Sequence, residues 1–274
     1  MILPNFILAG AAKSGTSTLY NYLCQHPDIY MSETKEPFFF DFNYDKGLDY
    51  YSTFFKNYSG EKIIGEATVW YMSWPGVPER IYESLPEVKL LFILRNPIDR
   101  AYSNYMHDLR SGLYKPNQTF GYVIRNEEID DSIHRRIVLG GYYYRHIQEF
   151  LKYFESDSIL ILLYDDIKSD FNNVGSKIFN FLDIQSNIYI KNYSDAMVSP
   201  YLRLTKLLPI ISSFVPMFNY FWKKSHHFRR IFLKYNTNKK NIIEDEDRKF
   251  LQNIYKSDIN NLEIYLNRDL SFWE

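Results

Sequence analysis

Cysteine is nearly absent from this chain: Cys24 is the only one among 274 residues. An intramolecular disulfide and a cysteine-built metal cluster are excluded, and with them the small stapled scaffolds of secreted proteins. An excess of charge of one sign is also lacking. The 32 lysines and arginines oppose 33 aspartates and glutamates, for a formal net charge of −1. No broad cationic face is left for nucleic acid, and any site for a polyanion must be local. A long uninterrupted apolar run is missing too, because the apolar tract 202–222 is broken by Arg203, Lys206, Pro209 and Pro216. A helical membrane span is therefore not expected there. No internal repeat or low-complexity linker is present. The first apolar run begins a few residues after Met1, which sets the expectation of no leader peptide, no preceding anchor and a cytoplasmic location.

What remains is the composition of an ordinary globular protein, 46% hydrophobic and 24% charged, in a chain long enough to bury its own core. A single domain spanning 1–274 is expected, with 202–240 as an insertion on the acceptor side or the periphery. Lys223, Lys224, Arg229 and Arg230 follow the apolar tract, so 202–230 could also lie against a membrane surface. Tyrosine and phenylalanine are abundant. Most of them are needed to fill a core, although a few could line a sugar-binding cleft.

Apolar runs alternate with helical patterns along the chain. Phe6-Ile7-Leu8-Ala9, Lys62–Ala67, Lys89–Leu94 and Ser158–Tyr164 read as strands, with a short extended piece at Ile29-Tyr30-Met31. Helices are expected over Thr16–Gln25, over Pro78–Leu85 and from Pro97 onward. Continuous apolar strands between helices imply an α/β fold with a central, mostly parallel β-sheet covered by helices on both faces. Ligands of such sheets bind beyond the carboxyl ends of the strands.

Two motifs lie there. In Gly10-Ala11-Ala12-Lys13-Ser14-Gly15-Thr16-Ser17-Thr18, an apolar strand breaks into a glycine- and hydroxyl-rich loop and then becomes helical. Backbone N–H groups and the helix dipole would converge there on an anion. Gly10, Gly15 and Ser17 fit the spacing of a Walker A loop, but its lysine position holds Thr16, and the nearby cation is Lys13. The second motif, Arg95-Asn96-Pro97, ends a strand and opens a helix that carries Ser103, His107 and Arg110. The arginine fork suits a phosphate, and Lys13 and Arg95 should converge on one crevice. A P-loop kinase remains open at this point, since Asp165 could hold Mg²⁺ beyond its strand. The displaced lysine and the cation that ends strand 89–94 both favour a second anion over a metal.

Together the motifs resemble the PAPS-dependent sulfotransferases (PAPS is 3′-phosphoadenosine 5′-phosphosulfate), and in particular the carbohydrate branch that includes heparan sulfate sulfotransferases and many bacterial members. Lys13-Ser14-Gly15-Thr16-Ser17-Thr18 is similar to the family's 5′-phosphosulfate loop. Arg95 and Ser103 are similar to its 3′-phosphate motif, and Lys35-Glu36-Pro37-Phe38-Phe39-Phe40-Asp41 to the segment that carries its catalytic glutamate. Gly65-Glu66-Ala67-Thr68, Gly140-Gly141-Tyr142-Tyr143 and the C-terminal Asp269-Leu270-Ser271-Phe272-Trp273 follow family patterns as well.

The resemblance implies a P-loop-like three-layer fold, PAPS as donor, PAP as product and no metal requirement. It also implies a glycan or glycoconjugate acceptor attacked through a hydroxyl, or less readily an amine; a small-molecule, lipid or natural-product hydroxyl is the alternative. Lys13 would stabilise the leaving phosphate and Glu36 would act as base, with His107 as a competing base. Lys35, Trp70, Tyr71 and Arg110 would contact acceptor, and Arg203 would reach a phosphate. The chain departs from the 3-O-sulfotransferase relatives at Ala67, where they carry a lysine, and in lacking their late Lys-Gly-Arg loop with its two cysteines. A PAP-binding protein without transferase activity is the rival of another class, and retention of both Lys13 and Glu36 argues against it. No oligomeric state is implied.

Overall fold

The computed structural model describes residues 1–114, 117–126, 136–185, 201–202, 225, 237–238 and 243–273. They group into two compact units, one built from 1–96 and 143–196 and the other from 97–142 and 197–274.

The first unit is organised on a five-stranded parallel sheet. Its strands are β1 (Phe6–Gly10), β2 (Ile29–Met31), β3 (Ile63–Ala67), β4 (Lys89–Leu94) and β5 (Ile159–Leu163), in spatial order β2-β3-β1-β4-β5. Its helices are α1 (Thr16–Leu23), α2 (Gly47–Ser52), α3 (Val77–Ser84), α6 (Tyr143–Phe150), α7 (Tyr164–Ser169) and α8 (Phe171–Phe181). In the central strands successive side chains enter opposite layers, and both layers are buried. Phe6 and Leu8, with Leu91, Ile93 and Leu162, pack against Leu19 and Leu23 of α1 and Val174 and Ile178 of α8. From the other face Phe92 meets Phe150 of α6 edge-on, 4.9 Å between ring centroids. Double-sided burial explains why the strand sequences run apolar without alternation, Leu90 through Leu94 being wholly buried.

The order of the strands locates the site. From β1 the chain moves outward to β2, whereas from β4 it moves the opposite way to β5. The connections part between β1 and β4, which are neighbours with Phe6 opposite Lys89. A crevice opens where connections diverge in this way.

The second unit contains α4 (Pro97–Ser111), α5 (Phe120–Arg125) and the long α9 (Asp245–Leu266). Buried Arg100 of α4 donates to the carbonyls of Arg136 and Ile137, at 3.0 and 2.6 Å. Tyr255 of α9 donates to the Val138 carbonyl at 2.7 Å. A Cβ on Gly141 would come within 2.6 Å of the Tyr255 ring, so glycine is required for that approach. Arg125 pairs with Asp247 at the start of α9. The segment expected as an insertion lies mostly outside the described residues; at its ends Tyr201–Leu202 (β6) and Thr237–Asn238 (β7) pair antiparallel. Among the described residues no helix is long and apolar enough to cross a membrane.

Candidate active site

The carboxyl end of β1 is shaped by glycine and by cross-strand hydrogen bonds. A Cβ on Gly10 would lie 2.7 Å from the Met72 Cβ, so no larger residue fits there without a shift. The Ala11 N–H donates to the Ile93 carbonyl of β4 at 2.9 Å, and the Ser14 N–H to the Ala11 carbonyl at 3.3 Å. Lys13 (φ 68°) and Gly15 (φ 90°) both adopt left-handed backbone, which folds the loop tightly ahead of α1. Gly15 caps α1 without a side-chain hydrogen bond to its first turn, and a helix start of this kind suits an anion. Ser14 is fully buried and its Oγ has no hydrogen-bond partner among the described residues. Thr16 is also buried, while Ser17 and Thr18 are half-buried. A donor-rich loop with an orphaned buried hydroxyl fits a phosphate or phosphosulfate group.

Arg95 leaves the end of β4 and closes the same corner. Its Nη1 donates to the Lys13 carbonyl at 3.2 Å, and its guanidinium lies over the Tyr164 ring, 5.1 Å from the centroid. Tyr143 Oη donates to the Arg95 carbonyl at 2.8 Å. The two motifs therefore touch, through the Arg95 side chain and the Lys13 main chain.

The segment of Glu36 occupies the end of β3, the neighbour of β1 on its other side. The Glu36 N–H donates to the Ala67 carbonyl at 2.9 Å. Glu36 (φ 63°) and Phe38 (φ 52°) both take left-handed backbone, a conformation that costs about 1–3 kcal/mol per non-glycine residue and gathers at functional sites. Lys35 Nζ lies 3.0 Å from Glu36 Oε1, with both side chains about a quarter exposed. The carboxylate is thus accessible and partnered by a cation. Downstream, Phe39–Asn43 forms one wide π-helical turn.

A polar network under this segment was not anticipated. Glu66 is wholly buried, with Tyr51 Oη donating to its Oε1 at 3.0 Å and Thr68 Oγ1 to its Oε2 at 2.7 Å. Burial pushes its carboxyl up to about 7, while the hydroxyls of Thr68, Tyr71 and Tyr51 hold it back. Asp41 is likewise pushed up by burial, to about 6. The sequence signal was a carboxylate inside an apolar strand, Ile63-Ile64-Gly65-Glu66-Ala67, where a charge has no place unless it is partnered.

Tyr71 departs from expectation. Placed at the acceptor by resemblance, it is fully buried, and its Oη accepts the N–H groups of Phe39 and Phe40 at 3.0 and 3.2 Å. A phenol consumed by backbone donors braces the segment from behind and presents no surface to an acceptor. Trp70 is half-buried. Asp165, the metal ligand of the kinase alternative, pairs with Lys168 at 2.8 Å on α7.

The remaining predicted positions belong to the second unit. Ser103 is buried on α4. His107 is exposed, its Nδ1 3.3 Å from Asp108 Oδ1. Asp108 is buried and also takes Arg136 at 2.7 Å and Asn104 at 3.2 Å. Arg110 Nε donates to the Met106 carbonyl at 3.0 Å. Arg203 lies outside the described residues.

Three comparisons bear on this site. A mouse bifunctional heparan sulfate N-deacetylase/N-sulfotransferase 4 is 31% identical over 212 residues, which is 71% of this chain and 24% of the relative. The membrane-associated sulfotransferase kil1 of Dictyostelium discoideum is 39% identical over 108 residues, 38% of this chain and 23% of that one. The chain thus spans about a quarter of the curated relatives it matches. Among solved structures, a sulfotransferase from Alicyclobacillus acidocaldarius superposes with a TM-score of 0.73 at 26% identity, covering 100% of this chain and 99% of the other. Residues 3–261 match the sulfotransferase domain, and the chain accordingly belongs to the sulfotransferase family.

Proposed function

We propose that the protein transfers a sulfuryl group from PAPS to a hydroxyl or amine of a glycan and releases PAP. The observation that carries this reading is the Arg95 Nη1 contact to the Lys13 carbonyl. It supports the reading by joining the Lys13 loop to the Arg95 strand end, one strand away from Glu36. Lys13, Ser14, Gly15, Thr16, Ser17 and Thr18 would cradle the 5′-phosphosulfate, and Arg95 the 3′-phosphate. The glycan assignment rests on relatives whose names carry heparan sulfate N-sulfotransferase.

In this reading Glu36 takes the proton from the acceptor O–H or N–H as that atom bonds to sulfur. The S–O bond to the leaving phosphate breaks as the new bond forms, and Lys13 stabilises the charge that collects on the departing oxygen. Lys35, 3.0 Å from Glu36 Oε1, would orient the carboxylate toward the acceptor. Metal-free transfer and a cytoplasmic location are parts of the same proposal, read out by activity in chelator and by cell fractionation.

The test is transfer of labelled sulfuryl from PAPS to a panel holding N-acetylated and N-deacetylated forms of one glycan, beside small phenols and lipid-linked sugars. Transfer to the N-deacetylated form alone assigns the amine, and transfer to both assigns a hydroxyl. Titration calorimetry should show binding of PAP without Mg²⁺ and none of Mg-ATP. Glu36→Gln should abolish transfer while PAP binding persists; a Glu36→Gln protein with normal turnover removes the base assignment.

A further inference from the structure

Glu66 touches neither corner of the candidate site, yet its hydrogen bonds lead to the Glu36 segment from two directions. Tyr51, which donates to Glu66 Oε1 at 3.0 Å, stacks on Phe39 with 4.2 Å between ring centroids and 8° between planes. Tyr71, whose hydroxyl also interacts with Glu66, accepts the N–H groups of Phe39 and Phe40. The ring and the backbone of Phe39 are therefore both fastened to partners of one buried carboxylate. A third tie runs through the main chain, since Ala67, the next residue after Glu66, accepts the Glu36 N–H.

These ties act where the backbone most needs them. Glu36 and Phe38 flank Pro37 in left-handed conformation, and such a turn persists only when its surroundings over-determine it. Phe39, Tyr51 and Tyr71 are wholly buried, so water cannot replace the missing contacts if the network is cut.

We infer that Glu66 is a positioning residue for the sulfuryl-transfer reaction, aiming the Glu36 carboxylate by anchoring Phe39 through Tyr51 and Tyr71. This rests on the reading of Glu36 as the base. The groups that face Glu66 are Tyr51 from α2, Thr68 and Tyr71 from the turn after β3, and Asp41 from the wide turn, whose charge opposes its ionisation. Glu66 accepts from Tyr51 on one oxygen and from Thr68 on the other, and protonation would turn one of these acceptors into a donor, so transfer should depend on its ionised form.

The experiment is a pair of variants, Glu66→Gln and Tyr71→Phe, assayed beside Glu36→Gln. A misaimed base lowers kcat by about 10- to 100-fold, with PAP affinity unchanged because the phosphate corner is intact. In the wild type kcat should rise with pH through the ionisation of Glu66, and in Glu66→Gln that inflection should vanish. Tyr71→Phe should lower kcat but keep the inflection. Normal kcat in a folded Glu66→Gln protein, or an unaltered pH profile, overturns the inference while leaving Glu36 as the base. Activity in Glu36→Gln instead removes the reading beneath it. If Glu66→Gln fails to fold, as judged by lost PAP binding, Tyr71→Phe decides alone: unchanged kcat refutes the anchoring, and reduced kcat with intact PAP binding supports it.

Discussion

The two corners of the carboxyl edge are built in opposite ways. At β1 and β4 the main chain does most of the work: Gly10 and Gly15 permit close approach, the Ala11 N–H bonds the Ile93 carbonyl, and Arg95 bonds a carbonyl of the neighbouring loop. At β3 the Glu36 turn contains no glycine, and buried side chains hold it instead: Tyr71 accepts two of its N–H groups and Tyr51 stacks on Phe39. A backbone cradle suits a ligand of fixed shape, since N–H groups and helix ends recognise any phosphate alike. A side-chain brace suits a base that must be aimed at an acceptor. The donor corner should accordingly fail through lost charge, and the acceptor corner through lost aim.

The largest break should come from Lys13→Ala. Removing the cation at the leaving oxygen should lower kcat by about 10²–10³-fold, the range seen when one preorganised oxyanion donor is deleted. Single-turnover kinetics with saturating PAPS would measure it, and a normal rate would show that the loop N–H groups suffice. Arg95→Ala should act on binding. Loss of hydrogen bonds to a charged group costs about 1.5–3 kcal/mol, so the PAP dissociation constant should rise about 10- to 100-fold. Calorimetry checks it, and unchanged affinity would separate Arg95 from the nucleotide. Gly15→Ala comes next. At φ 90°, with a new Cβ 3.0 Å from the Tyr164 ring, it should cost about 1–3 kcal/mol of stability, read as a lowered urea midpoint.

The same contrast explains what the sequence disclosed. The five strands fall where apolar runs placed them, because two-sided burial leaves a run that neither a surface strand nor an amphipathic helix produces. Lys13 and Arg95 were legible because backbone cradles need glycine and hydroxyl residues at fixed spacing. Their meeting follows from β1 and β4 being neighbours, which the diverging crossovers make possible. Glu36 came only through resemblance: a glutamate beside a lysine carries no local signature. Tyr71 was assigned to the wrong side of its segment, since sequence does not tell a phenol that faces a ligand from one that caps buried N–H groups. Glu66 stood in plain view within an apolar strand with Thr68 two residues on, but its partner Tyr51 arrives from α2, and local pattern holds no trace of that.

The smallest effect, and the one that isolates the brace from the chemistry, is on stability. Burial raises the Glu66 carboxyl from the ordinary 4.5 to about 7, so the folded protein holds this proton more tightly than the unfolded chain does. Between these values the native state binds more protons, and stability must fall as pH rises. The contribution is fully present below 4.5 and is lost as pH climbs through about 7. Glu66→Gln has no such proton. Calorimetric melting of both proteins across that window should show the wild type losing ground to the variant as pH rises, whatever the other carboxylates do to both. Parallel melting profiles would mean that folding leaves the proton affinity of Glu66 unchanged, and the brace would then be an anion at any physiological pH.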